Sequence, residues 1–388
     1  MTHFLKQNKF TIEKYKYMVK RIVWITPECY LDVDLPIIAE LTKKYIIYWQ
    51  IILDYNHLID YNKFVLNKLR NCTNVTITFE RQKYRLRDLR NISFYISIIR
   101  KAKSFNPNLY YISFYAQPYG LLLYKLLLPL QKCIVACHNV TTPEGASGGR
   151  FVKYYTHYWL KTFENIQVFS KGQQTALESM HKNKNILMAP LAIKDYGDAR
   201  KICDKQELPF VRFLFFGNIL NYKRVDLLIE AAHVLHNRGI NGFKIRIAGN
   251  CKEWGDNYAN LIKRSEYFEL IIKRIPNEDV ADLFADSHYF VMPYQDIAQS
   301  GAITVAFRYN LPVIASDIPQ FKEFVTDGKD GIFFRSKNAE DLANKMEDVL
   351  KNHETQYYQL CKNQHNFVKN NLSLPSIIKR YCDYIEQL

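Results

Sequence analysis

Short runs of β-branched and aromatic residues recur along the chain, separated by longer stretches whose apolar residues fall at three- and four-residue spacing. Seven such runs occupy 21–26, 45–53, 75–78, 109–113, 133–137, 166–170 and 186–189. After a polar stretch over 194–209, six more follow at 212–217, 244–249, 268–272, 289–292, 312–316 and 332–334. Runs that are apolar at successive positions predict strands buried on both faces, and helical patterns between them predict parallel sheets covered by helices. The expected fold is therefore α/β, with two such units facing each other across a cleft at the carboxyl ends of their strands. The units are expected at 1–197 and 198–370, followed by a closing segment, 371–388, that packs back on the first unit. Helices are expected over 225–236 and over 338–350, where Asn338 caps and Asp341 lies in the first turn. The closing segment places Ile377, Ile378, Tyr381, Tyr384 and Ile385 on one helical face behind Pro375. No repeat of fixed period and no low-complexity tract interrupts this pattern.

Composition changes the picture in three places. With 388 residues, 48% apolar and 23% charged, the chain is expected to fold as two globular domains. Its longest apolar run, 121–130, is broken by Lys125 and Pro129 and falls short of the roughly 20 residues a membrane span needs. The first residues lack the pattern of a signal peptide, so a cytoplasmic location is expected. Eight scattered cysteines form no disulfide framework and read as reduced thiols, mostly buried. Cys133, Cys137 and His138 lack the second ligand pair that would close a zinc site. The net charge of +15 is one-sided: residues 1–195 hold 28 Lys and Arg against 13 Asp and Glu, whereas 196–388 hold 25 of each. Such an excess commonly marks a surface that meets phosphates, although a basic charge that only keeps the protein soluble fits equally, and no recognised nucleic-acid module accompanies it.

Two turns are candidates for chemistry. One follows the run ending at Met292, passes through Gln299, Ser300 and Gly301, and enters a helix at Ala302. Free backbone N–H groups and the positive end of a helix suit a diphosphate there, although an ordinary helix capped by Ser300 explains the same residues. In the other, Gly217 ends a strand and Lys223 and Arg224 precede a helix. Lys223 can neutralise a phosphate or lie solvated at the surface. No phosphate loop, zinc-protease motif or nucleophile elbow is present.

Together these stretches resemble the C-terminal domain of retaining GT-B glycosyltransferases, closest to glycosyltransferase family 4 (glycosyl transferases group 1). The resemblance covers residues 212–350 and rests on an ordered set: Gly217, Lys223, Glu230, Gly249, Pro276, Asp286, Pro293, Ser300, Gly301, Pro312, Ser316 and Glu323. It implies two Rossmann-like domains, a nucleotide diphosphate held by Lys223, Ser300, Gly301 and Ala302, and a nucleobase bordered by Ile275 and Pro276. Two departures stand out. The family's pair of glutamates, counted back from Pro312, falls on Ile297 and Val305, and neither side chain accepts a hydrogen bond. Asp296 is the expected substitute beside the sugar. The family's phosphate-binding arginine is Asn218, and Arg224, at a usual glycine, is expected to restore that charge.

The first half resembles the family more weakly. His138, Asn139 and Glu144 follow a strand in the manner of the turn that faces the donor sugar, which implies that His138 contacts a sugar hydroxyl; a satisfied strand-end histidine fits as well. Asp32 and Asp34 spell a metal-binding DxD, but their place just before Pro36 and a helix is better explained by capping. The implied activity is transfer of a hexose from a nucleotide diphosphate sugar, with retention, to a glycan or lipid-linked acceptor in bacterial surface polysaccharide synthesis, using His138, Lys223 and Asp296 and requiring neither metal nor cofactor. The basic half is expected to meet an anionic membrane surface peripherally on the inner face through Arg81, Lys83, Arg85, Arg87 and Arg90, with Tyr84 and Leu86 among them, although a solvated basic face explains the same cluster. A catalytically silent partner subunit, favoured by the lost glutamates, and a nucleotide-sugar epimerase are the alternatives.

Overall fold

The computed structural model describes residues 19–55, 65, 67–85, 87–113, 118–141, 149–200, 205 and 208–388. Strands β1 (Arg21–Pro27), β2 (Ile46–Leu53), β3 (Val75–Arg81), β4 (Leu109–Ser113), β5 (Cys133–Ala136), β6 (Asn165–Val168) and β7 (Asn185–Met188) form one sheet in the order β3-β2-β1-β4-β5-β6-β7. Strands β8 (Val211–Phe216), β9 (Phe243–Ala248), β10 (Phe268–Ile271), β11 (Tyr289–Met292), β12 (Val313–Ser316) and β13 (Gly331–Phe334) form another in the order β10-β9-β8-β11-β12-β13. Every pairing is parallel, with Trp24 beside Trp49 and Phe213 beside Ile245 fixing the register of the central pairs. Both orders reverse beside their first strand, between β1 and β4 and between β8 and β11, which opens a crevice at the carboxyl ends.

Why the sheets are parallel is visible in β4, where all five residues are buried, as a strand covered on both faces requires. The first sheet separates two apolar layers. One holds α1 (Leu31–Leu41); the other holds α2 (Asn91–Ser104), α3 (Pro118–Leu127), α4 (Gly149–Thr162) and α5 (Lys171–Met180). The second domain packs its core with α6 (Val225–Asn237), α7 (Asn277–Ala285), α8 (Gly301–Arg308), α9 (Ala339–Lys351) and α10 (His353–Asn371). Helix α9 begins where the Asn338 side chain accepts from the Asp341 N–H at 2.8 Å.

The chain then returns to the first domain. Helix α11 (Leu374–Gln387) buries Ile377, Tyr381, Tyr384 and Ile385 in the layer that contains α1. Gln167 donates to the Tyr381 hydroxyl at 2.5 Å and accepts from that of Tyr111, which stacks on Trp24 at 3.6 Å. In the second domain, β8 and β9 finish so close together that a β-carbon on Gly249 would lie 1.9 Å from the Gly217 carbonyl oxygen.

Candidate functional site

Gly217, with φ of 117°, turns the chain out of β8 in a conformation that disfavours any side chain. The next turn, Asn221–Lys223, folds back until Lys223 Nζ lies 3.2 Å from where a Gly217 β-carbon would be. The ammonium rests 5.4 Å from the Tyr294 ring and 6.0 Å from that of Phe215. Among the described residues no carboxylate pairs with it, and burial lowers its pKa from the ordinary lysine value to about 8. Arg224 follows Lys223 directly. It caps α6 in a left-handed conformation, φ 50°, and its guanidinium lies on Asp226 at 2.7–3.0 Å, with Gln295 Oε1 at 3.4 Å. Its charge is matched within its own helix start by Asp226.

At the end of β11 the Ser300 side chain caps α8, accepting from the Ile303 N–H at 3.4 Å. The N–H groups of Gly301 and Ala302 lie in the first helical turn, where no intrahelical acceptor reaches them. A β-carbon on Gly301 would lie 3.3 Å from both Cε and Nζ of Lys194, so this lysine lies against the turn. Burial opposes the Lys194 charge, and the Asp32 carboxylate bonded to it more than offsets that, leaving its pKa above the ordinary value. Lys194 was missed because it sits in the polar stretch between the domains, where nothing local distinguishes it from a solvated lysine.

Gln299 crosses the domain interface: its Nε2 donates to His138 Nδ1 at 3.0 Å. This places the imidazole proton on Nε2, a buried atom with no partner among the described residues. The ring is sandwiched between Tyr30 at 3.7 Å and Phe169 at 4.3 Å, and burial, with Lys194 adding to it, lowers its pKa to about 3. His138 is therefore neutral at physiological pH and offers one donor. Asn139 is exposed, and Glu144 lies outside the described residues. Asp296 is half-buried and accepts from Gln320 at 3.3 Å. Ile297 and Val305 are buried in the second core.

The cleft between the domains encloses about 630 Å³ and is lined by Asp32, Lys194, Asn218, Asn250, Arg274 and Asn277, among others. Ile275 packs on the core and Pro276 is exposed, with Arg274 and Asn277 on either side of them facing the cleft. The two aspartates in the first turn of α1 do not cap it. Asp32 holds Lys194, and Asp34 accepts from Thr26 at 2.7 Å and Ser113 at 2.6 Å at the β1–β4 switch point. Burial raises the Asp34 pKa to about 6 against those two hydrogen bonds. Across the interface, Glu323 accepts from the Lys171 N–H at 2.8 and 3.0 Å, at the positive end of α5. No group of three or more metal-ligating side chains gathers among the described residues.

Two parallel-sheet Rossmann-like domains facing across a cleft define the GT-B class, and known proteins agree. A glycosyltransferase from Rickettsia africae superposes with a TM-score of 0.70 over 96% of this chain and 99% of its own, at 16% identity. HepE of Anabaena, solved with UDP, gives 0.70 over 95% and 100% at 12% identity. Sucrose-phosphate synthase from Thermosynechococcus elongatus gives 0.73 over 95% and 98% at 12% identity. Residues 211–352, within the second domain, match the family described as glycosyl transferases group 1. A curated relative from Methanocaldococcus jannaschii, named an uncharacterized glycosyltransferase, is 23% identical over 305 residues, 77% of this chain and 80% of its own length.

Proposed function

We propose that this protein transfers a hexosyl group from a nucleoside diphosphate sugar, with retention, to a glycan or lipid-linked acceptor in the cleft, as in assembly of a bacterial surface polysaccharide. The observation that carries the donor site is Lys223: a buried ammonium without a described counter-charge, at the carboxyl end of β8, is stabilised by an anion beside it. As the bond from the anomeric carbon to the diphosphate oxygen breaks, negative charge builds on the leaving phosphate. Lys223, Lys194 and the N–H groups of Gly301 and Ala302 are preorganised donors for that charge, the arrangement that lowers such barriers without a metal. The acceptor hydroxyl oxygen forms the new bond to the anomeric carbon, and its proton passes to the departing diphosphate oxygen, which takes the electron pair of the broken bond. His138, through Nε2–H, is the donor for a sugar hydroxyl, and Gln299 fixes its tautomer. Asp296 stands beside the sugar in this reading.

UDP is the first probe, because HepE was solved with it. At one hundred times its Kd it stabilises a one-site protein by about 2.7 kcal/mol, which a thermal-shift measurement reads directly. Lys223→Ala and Lys194→Ala are each expected to abolish most of that shift while leaving the unliganded protein folded. Stabilisation by no nucleoside diphosphate, or a shift in both variants as large as that of the unaltered protein, rejects the donor site. Binding without turnover on any sugar nucleotide supports the silent-subunit alternative.

A further inference from the structure

We propose that the outer face formed by α3, α4 and the described residues 84, 85 and 87–90 is a docking surface for an anionic lipid bilayer. Helix α4 buries Thr156, Trp159 and Leu160, yet Phe151, Tyr154 and Tyr158, at i, i+3 and i+7, face outward, with Tyr154 72% exposed. Helix α3 buries Leu121 and Tyr124 while Leu122 and Leu126 stand out, Leu126 at 67% exposure, and Leu89 nearby is 69% exposed. A helix packed on a core normally turns polar residues to water, so an apolar stripe on its second face needs another partner.

The three segments make one surface. The Tyr119 hydroxyl donates to the Arg87 carbonyl at 2.7 Å, the Arg87 guanidinium lies 5.8 Å from the Phe151 ring, and Lys125 Nζ donates to the Tyr158 hydroxyl at 3.1 Å. Between the exposed rings and leucines stand exposed Arg85, Arg87, Lys125, Lys153 and Lys161. The one carboxylate among the described residues of these segments, Asp88, is held by Arg90 at 2.7 Å. A second copy would set positive charge against positive charge. Separately projecting tyrosine, phenylalanine and leucine side chains among cations match instead the head-group boundary of anionic lipids, where rings and leucines enter the acyl edge and cations meet phosphates. This moves the docking surface from 81–90 alone to the helices beside it.

The placement bears on the acceptor. Helices α3 and α4 follow β4 and β5 in the domain whose carboxyl edge carries His138, so the docked domain is the one that holds His138. Only the bearing on the acceptor rests on the glycosyl-transfer reading, by implying a lipid-linked acceptor.

The test is co-sedimentation of the full chain with vesicles of phosphatidylcholine alone or mixed three to one with phosphatidylglycerol, at low and high salt. Binding to the mixed vesicles alone, weakened by salt, is expected. Leu126→Ser with Tyr154→Ser, and separately Lys125→Glu with Lys153→Glu, are each expected to cut partitioning at least about tenfold, while UDP stabilisation is unchanged. No binding at low salt, equal binding to both vesicle types, or unaltered binding by both double variants overturns the proposal, as does a solution dimer that protects Tyr154. Absence of vesicle binding by the unaltered chain with its UDP stabilisation intact counts against the surface alone, and vesicle binding without UDP stabilisation counts against the donor site alone.

Discussion

Lys223 is the residue on which pH should act. Its pKa of about 8 in the fold lies below the ordinary 10.5, so its effect on stability is favourable above the unfolded value and is lost as pH falls through 8. At neutral pH the free protein therefore carries a cost on the order of 3 kcal/mol for keeping this ammonium charged and buried. A diphosphate removes that cost only while the lysine is protonated. UDP affinity should consequently weaken about tenfold per pH unit above 8, and Lys223→Met should bind weakly with little pH dependence. Titration calorimetry at pH 7 and 9 decides this: equal affinities would mean that no phosphate meets Lys223. Lys194 serves as internal contrast, since Asp32 keeps it charged throughout that window.

At the scale of elements, α11 closes a domain from which it is separated by the whole second domain. Its burial of Ile377, Tyr381, Tyr384 and Ile385 completes the layer over α1, and Tyr381 partners Gln167 inside the sheet. Tyr381→Ala should destabilise the first domain by about 3 kcal/mol or more, because it opens a cavity and leaves the Gln167 amide without its acceptor. Urea unfolding measures this, and a loss under 1 kcal/mol would show that α11 contributes little. The strands illustrate what is legible locally. All thirteen apolar runs became strands, with ends shifted by up to three residues, because strands buried on both faces leave the same mark in any context. Capping was read well at Asn338 and Ser300, where a side chain reaches an amide three residues on. It was misread at Asp32 and Asp34, whose partners come from Lys194, Thr26 and Ser113 in distant segments.

For the whole molecule, the contacts between domains set how the two halves of the site meet. Glu323 of the second domain accepts two short hydrogen bonds at the start of α5 in the first, and Gln299 reaches His138 beside it. An acidic group at a helix N-terminus contributes about 0.3–1 kcal/mol, so Glu323→Ala should let the domains part more often. The radius of gyration measured by small-angle scattering without ligand should rise, and UDP affinity should fall about two- to fivefold. A variant with wild-type scattering and wild-type affinity would show that this contact does not hold the cleft.

What this sequence determined alone follows from interactions short in sequence: two α/β sheets, their helices, the turns after Gly217 and Met292, and the group 1 resemblance over the second domain. Periodicity and turn chemistry are written within some fifteen residues, and each survives transfer from chain to fold. The site was only half legible by the same logic. Lys223, Ser300 and Gly301 announce themselves beside strand ends, whereas Arg224 looks equally available until Asp226 is seen to hold it. Lys194 at the Gly301 turn, the His138 ring between Tyr30 and Phe169, and the Asp34 carboxyl between Thr26 and Ser113 were decided only by tertiary structure. Each depends on residues from different elements meeting at a strand edge or across the cleft, and burial there, rather than residue type, sets whether a lysine, histidine or aspartate is charged.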